Sequence, residues 1–193
     1  MIGKKKSPVY GIGINDLERN VTWYDSNGQR VLCPVYQIWH DMLERCYCPV
    51  FNKKHPTYTD CSVCESWLHL SNFEAWLGLQ DYKGKHLDKD IISPGNKLYS
   101  PSTCAFIDQN VNKFITDGGR KSNLPIGVTC RRGCRYIAQC CDPFTGKTSY
   151  IGSFNSAEAA HQAWKRKKHE YALVYADQQS DLRVAAALRV RYL

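Results

Sequence analysis

Apolar residues first recur at helical intervals near the start of the chain. Tyr36, Trp39, Met42 and, one turn further, Cys46 share one face and predict a helix over residues 35–46. Ser71-Asn72-Phe73-Glu74 starts a second, shorter helix running to about Gln80. Beyond residue 126 the period shortens to two. GVTCRRG (127–133), RYIAQCCDP (135–143) and KTSYIGSF (147–154) read as three short strands, separated by the Gly133 region and by Pro143-Phe144-Thr145-Gly146. A helix follows: Asn155 with Glu158 three residues later forms a capping box. Ala157, Ala160, Trp164, Lys167 and Tyr171 then recur at helical spacing, the lysine contributing its aliphatic stem. Residues 180–192, SDLRVAAALRVRY, predict a capped terminal helix.

A sheet this small can cover only one face with that helix. Alternation puts Tyr136, Ala138 and Cys140 on one side of the middle strand and Ile137, Gln139 and Cys141 on the other. Ser149 and Ile151 share a face of the third strand, opposite Thr148 and Tyr150. The open face then carries Thr129, Arg131, Gln139, Thr148 and Tyr150, with Arg132, Arg135 and Lys147 nearby. Arginine and glutamine can hydrogen-bond base edges, and the hydroxyls can reach phosphate.

Charge sharpens this picture. From residue 119 onward there are 13 Lys and Arg against 5 Asp and Glu, whereas residues 1–118 carry 13 of each. The whole excess of +8 therefore sits in the last part of the chain, where a polyanion such as double-stranded DNA would meet it. No apolar run approaches 18 residues, and MIGKKKSPVYG has no apolar core behind its lysines. No membrane partner and no secretory leader are expected, and the expected location is cytoplasmic.

Ten cysteines in such a chain point to metal binding or core packing rather than a disulfide framework. Cys61-x-x-Cys64 is a zinc knuckle that needs two further ligands; Cys46 and Cys104 are the preferred ones, with Cys48 competing. Cys130, Cys134, Cys140 and Cys141 offer no such pair and read as packing or surface residues. The segment KHLDKDIISPGNKLYSPSTCAFIDQNVNKF (85–114) reads as a strand ending in Leu87–Ile91, a loop, a second strand around Lys97–Ser100 and a helix reaching Asn112. An acid on the first strand and an amide on the helix can hold one divalent metal, which activates water at a scissile phosphate.

Two resemblances follow from these residues. The stretch from GVTCRRG to KRKKHEYA resembles the APETALA2/ethylene-response-factor DNA-binding domain: the opening Gly-Val, the Tyr-Ile-Ala strand, the aromatic-x-Gly-x-Phe strand and the Ser-Ala-Glu-Ala-Ala helix all recur in order. Residues 85–114 resemble the HNH (ββα-metal) nuclease family, especially bacteriophage and homing endonuclease members that couple such a core to an APETALA2-like domain. The resemblance implies Asp88 and Asn112 as ligands of catalytic magnesium or manganese. Lys89 stands where that family has its general-base histidine, and Thr103 where its loop asparagine falls; Asp90, His86 or Asn96 are candidates for the missing chemistry.

The expected architecture is α+β. A zinc-braced, HNH-like core over residues 1–118 precedes an APETALA2-like domain over 119–193, with Asp117–Asn123 as hinge. The function implied is a divalent-metal-dependent DNA endonuclease, a hydrolase cutting or nicking phosphodiesters. The alternative is a catalytically inactive DNA-binding or inhibitory protein on a degenerate HNH scaffold.

Overall fold

The computed structural model describes residues 7–116, 123–131 and 135–193. Over these the chain mixes helices with small sheets and divides into two compact units, Met1–Phe106 and Ile107–Leu193. Among the described residues no helix is long and apolar enough to cross a membrane.

In the first unit, β1 (Thr22–Tyr24) and β2 (Arg30–Leu32) form an antiparallel hairpin. Two prolines then start two helices, because a proline at the first helical position lacks only a donor that would have no partner there anyway. These are α1 (Pro34–Tyr47) and α2 (Pro49–Lys54). The expected face of α1 is inward: Trp39, Met42, Leu43 and Cys46 are buried, and the Trp39 indole donates to the Trp67 carbonyl at 2.7 Å. The third helix, α3 (Leu70–Leu77), has no cap from its own leading residue. Asp16 supplies it from 55 residues upstream, accepting from the Ser71 amide at 2.9 Å and the Ser71 hydroxyl at 2.6 Å. Leu70, Phe73 and Leu77 then close the core against Trp67 and Tyr99.

Strand pairing differs from the sequence expectation. β3 (Ser62–Val63) runs parallel to β5 (Leu98–Tyr99), whereas β4 (His86–Asp88) pairs with β6 (Ala105–Ile107). The strand expected around Lys97–Ser100 is therefore tied to the Cys61–Cys64 knuckle and is not the partner of the strand carrying Asp88. β6 takes that place because all three of its residues are buried. β4 also stops at Asp88, three residues short of expectation. Asp88 Oδ1 accepts the amides of Asp90 (2.8 Å) and Ile91 (2.7 Å), which turns the backbone out of the ladder.

The second unit opens with α4 (Gln109–Ile115), followed by β7 (Val128–Arg131), β8 (Arg135–Cys141) and β9 (Thr148–Phe154), an antiparallel sheet in that order. α5 (Ala157–Asp177) covers one face and α6 (Leu182–Val190) packs on α5. The contact is close because its centre is built from small residues: Val128 and Ala138 of the sheet meet Ala160 and Ala163 of the helix. Two local expectations are corrected. The cap of α5 is Ser156, whose hydroxyl accepts from the Ala159 amide at 3.1 Å; Asn155 is engaged elsewhere, its Oδ1 accepting from Arg135 at 2.6 Å. The buried lysine is Lys168, not Lys167, which pairs with Glu170 at 2.6 Å. Lys168 turns inward because its ammonium donates to the Phe114 carbonyl at 2.6 Å and stands 3.7 Å from the Phe114 ring centroid.

Candidate functional site

The loop after β4 is held by its own side chains. Lys89, 5 % exposed, donates to Asp90 Oδ2 at 2.8 Å and to the Asn96 carbonyl at 2.7 Å. Asn96 answers with its amide, donating to the carbonyls of Lys89 (3.0 Å) and Leu98 (2.7 Å). Thr103 donates to the same Leu98 carbonyl at 2.7 Å. Lys89, Asp90, Asn96 and Thr103 thus form one network closing residues 89–103, and His86 is exposed on β4. A charged ammonium locked between a carboxylate and a carbonyl has no lone pair to take a proton from water. Burial raises the Asp88 carboxyl above the usual carboxylate range, with the Asp90 charge acting in the same direction and the two accepted amides and Lys89 opposing it. Asp88 lies in the first unit and Asn112 on α4 of the second.

The four candidate zinc ligands all belong to the first unit. Cys46, Cys61 and Cys104 are buried and Cys64 is half-buried. Burial pushes the Cys46 and Cys104 thiols up to about 12 and raises Cys61. Cys61 and Cys104 also act electrostatically on Cys46, as does Cys64 on Cys104, while Lys89 pulls Cys46 and Cys61 downward. Among the described residues, however, no group of three or more His, Cys, Asp or Glu side chains converges closely enough to hold a metal ion.

On the sheet of the second unit, register fixes which residues share the face turned away from α5. Thr129 lies opposite Ile137, Gln139 opposite Tyr150, and Cys141 opposite Thr148. An irregularity between Ala138 and Gln139 lets Ile151 join Ser149's side while Tyr150 stays opposite Gln139. Thr129, Lys147 and Thr148 are exposed, Tyr150 is 63 % exposed and Gln139 is half-buried. Ile137, in the middle of this face, is 5 % exposed, so the open area lies toward the Gln139–Tyr150 end. Arg135 is exposed but held, donating to Ser153 at 3.2 Å and to Asn155. Arg132 and Cys134, the side chain of Arg131, and most of the expected hinge lie outside the described residues.

One wall of this face was not anticipated. Asn110, Lys113 and Thr116 border a cleft of 560 Å³ with Thr129, Gln139 and Thr148 of the sheet and with Trp164, Lys168 and Tyr175 of α5. The i, i+3 spacing of the first three was visible in the sequence, but a helix this short carries too little periodicity to be read as a functional face. Compared with known proteins, the chain matches no family model and no solved structure.

Proposed function

We propose that this protein binds double-stranded DNA through the open face of its three-stranded sheet. The observation that carries the reading is the row Thr129, Gln139, Thr148 and Tyr150, exposed or half-buried on one face of a sheet whose other face is packed on α5. Glutamine can read a base edge bidentately, hydroxyls take phosphate, and a sheet can dock in a major groove. The positive excess of residues 119–193 supplies the sequence-independent part of the affinity. Fluorescence anisotropy with a labelled duplex tests it: salt-sensitive binding is expected, weakened by Thr148→Ala and Tyr150→Ala. Salt-insensitive or absent binding overturns it.

Once DNA is bound, the first unit admits two outcomes, occupancy alone or cleavage. The Lys89 network supports the APETALA2-coupled scaffold without cleavage, since the residue at the general-base position is sequestered. A phage or homing-type HNH endonuclease is the second reading, favoured by Asp88: both amides go to Oδ1, and a hard carboxylate oxygen at a strand end suits magnesium or manganese. Asp88 would supply the first unit's ligand to that ion, whose chemistry is to activate water and stabilise the leaving oxygen. Plasmid nicking with magnesium or manganese, lost with chelator and in Asp88→Ala, would establish the second reading; its absence across substrates leaves the first.

The donor set Cys46, Cys61, Cys64 and Cys104 fits structural zinc in chemistry, four thiols in one unit that act electrostatically on one another. Zinc would require these thiols to ionise and to draw closer than they stand here, and Lys89 would offset part of the resulting negative charge. Metal analysis of freshly purified protein should return about one zinc per chain. Cys104→Ser should lower that content; unchanged zinc would point to Cys48 instead.

A further inference from the structure

We propose that the cleft between α4 and the sheet takes the phosphodiester backbone of the bound duplex, with Lys113 as its phosphate contact. This rests on the DNA-binding reading above and extends the footprint beyond the sheet. One wall, Thr129, Gln139 and Thr148, belongs to the face assigned to DNA; another is Asn110, Lys113 and Thr116, and Trp164, Lys168 and Tyr175 of α5 complete the lining. Two lysines and no carboxylate line the cleft among the described residues, which complements a polyanion and disfavours a cation. The two lysines have separate tasks. Lys168 is buried and gives its ammonium to the Phe114 carbonyl, whereas Lys113 is exposed and has no ion-pair partner among the described residues. The Lys168 bond also fixes α4, so Lys113 is presented from a helix anchored one residue away, at Phe114. The Thr116, Thr129 and Thr148 hydroxyls and the Asn110 amide are the uncharged donors that usually accompany a cation at a phosphate.

The test uses the full-length protein, a labelled duplex and anisotropy titrations over a series of salt concentrations. Removing one phosphate contact should flatten the log–log salt slope by about 0.9. Between roughly 50 and 200 mM salt, the affinity advantage of wild type over Lys113→Ala should then shrink by about 3.5-fold, whatever the sequence of the duplex. Lys113→Arg should keep the wild-type slope, and Lys167→Ala, an ion-paired lysine away from the cleft lining, should keep it too. Matching circular-dichroism melts for all variants will show that the fold is retained; Lys113→Gln replaces the alanine variant if its melt differs. Wild-type binding that is weakened by Tyr150→Ala, with an unchanged slope in Lys113→Ala, overturns the cleft proposal and leaves the sheet reading standing. An equal loss of slope in Lys167→Ala also overturns it, since the effect would then be one of net charge. No binding by wild type overturns the sheet reading itself, and the cleft with it.

Discussion

Gly127→Ala should unfold or severely weaken the second unit, although it adds a single methyl group. Gly127 has φ +83, in the left-handed region that costs a residue with a Cβ about 1–2 kcal/mol. The added Cβ would also stand 2.0 Å from Cγ and Cδ1 of Trp164 and 2.7 Å from its Cβ. Rotating the indole clears the first two contacts but not the third, because the Trp164 Cβ is fixed by the backbone of α5. Nor is the ring free to move: it stacks on His161 at 5.3 Å between centroids, and the His161 Nδ1 lies 2.8 Å from the Ile126 carbonyl. Overpacking of this kind costs about 1–3 kcal/mol or more. The two effects together come to roughly 2–5 kcal/mol, a fall in melting temperature of about 8–40 °C for a unit of this size. Thermal melts followed by circular dichroism, with limited proteolysis reporting on the second unit, measure it. In a Trp164→Ala background the two indole contacts vanish while the Cβ contact and the backbone term remain, so the cost should be smaller than in wild type, a coupling readable from a double-mutant cycle. A drop below about 4 °C for Gly127→Ala, or an identical drop in both backgrounds, would refute the packing argument.

Further outcomes concern single side chains. Lys168→Met keeps the aliphatic stem but leaves the Phe114 carbonyl without its ammonium donor and removes the contact with the Phe114 ring, for about 1–3 kcal/mol; an unchanged melting temperature would count against it. Asp16→Ala should remove the cap of α3 at a cost of about 0.5–2 kcal/mol. Although burial raises it, Asp16 is held below its ordinary pKa by the Ser71 hydrogen bonds and by His69. Its contribution is therefore complete above the unfolded value, about 3.9, and is lost as pH falls through the folded value, so the gap between wild type and variant should close in acid. Asp88 has the opposite sign: burial raises its carboxyl, so ionising it opposes folding above the unfolded value. Asp88→Asn should consequently melt higher than wild type at neutral pH and converge with it toward about pH 4; a lower melting temperature at pH 7 would show that the carboxylate is stabilising.

Local pattern by itself determined the three-stranded sheet, the helix behind it and the face residues Gln139, Thr148 and Tyr150, because a period of two and a period of 3.6 are written in neighbouring residues. The inward face of α1 was legible for the same reason. Tertiary structure decided what depends on partners far along the chain. The strand partner of β4 turned on which of two short segments could be buried, and Ala105–Ile107, all apolar, took that place over Leu98–Tyr99. The cap of α3 comes from Asp16, and no local signature announces a donor–acceptor pair separated by 55 residues. Asn155 had the right sequence for a cap but was drawn off by Arg135, leaving Ser156 to serve. Lys168 rather than Lys167 went inward because a carbonyl and an aromatic ring on α4 could satisfy a buried ammonium, a condition set by three-dimensional packing. Lys89 is the clearest case: the sequence showed only a lysine among charged neighbours, and only the folded loop supplied the carboxylate and carbonyl that hold it.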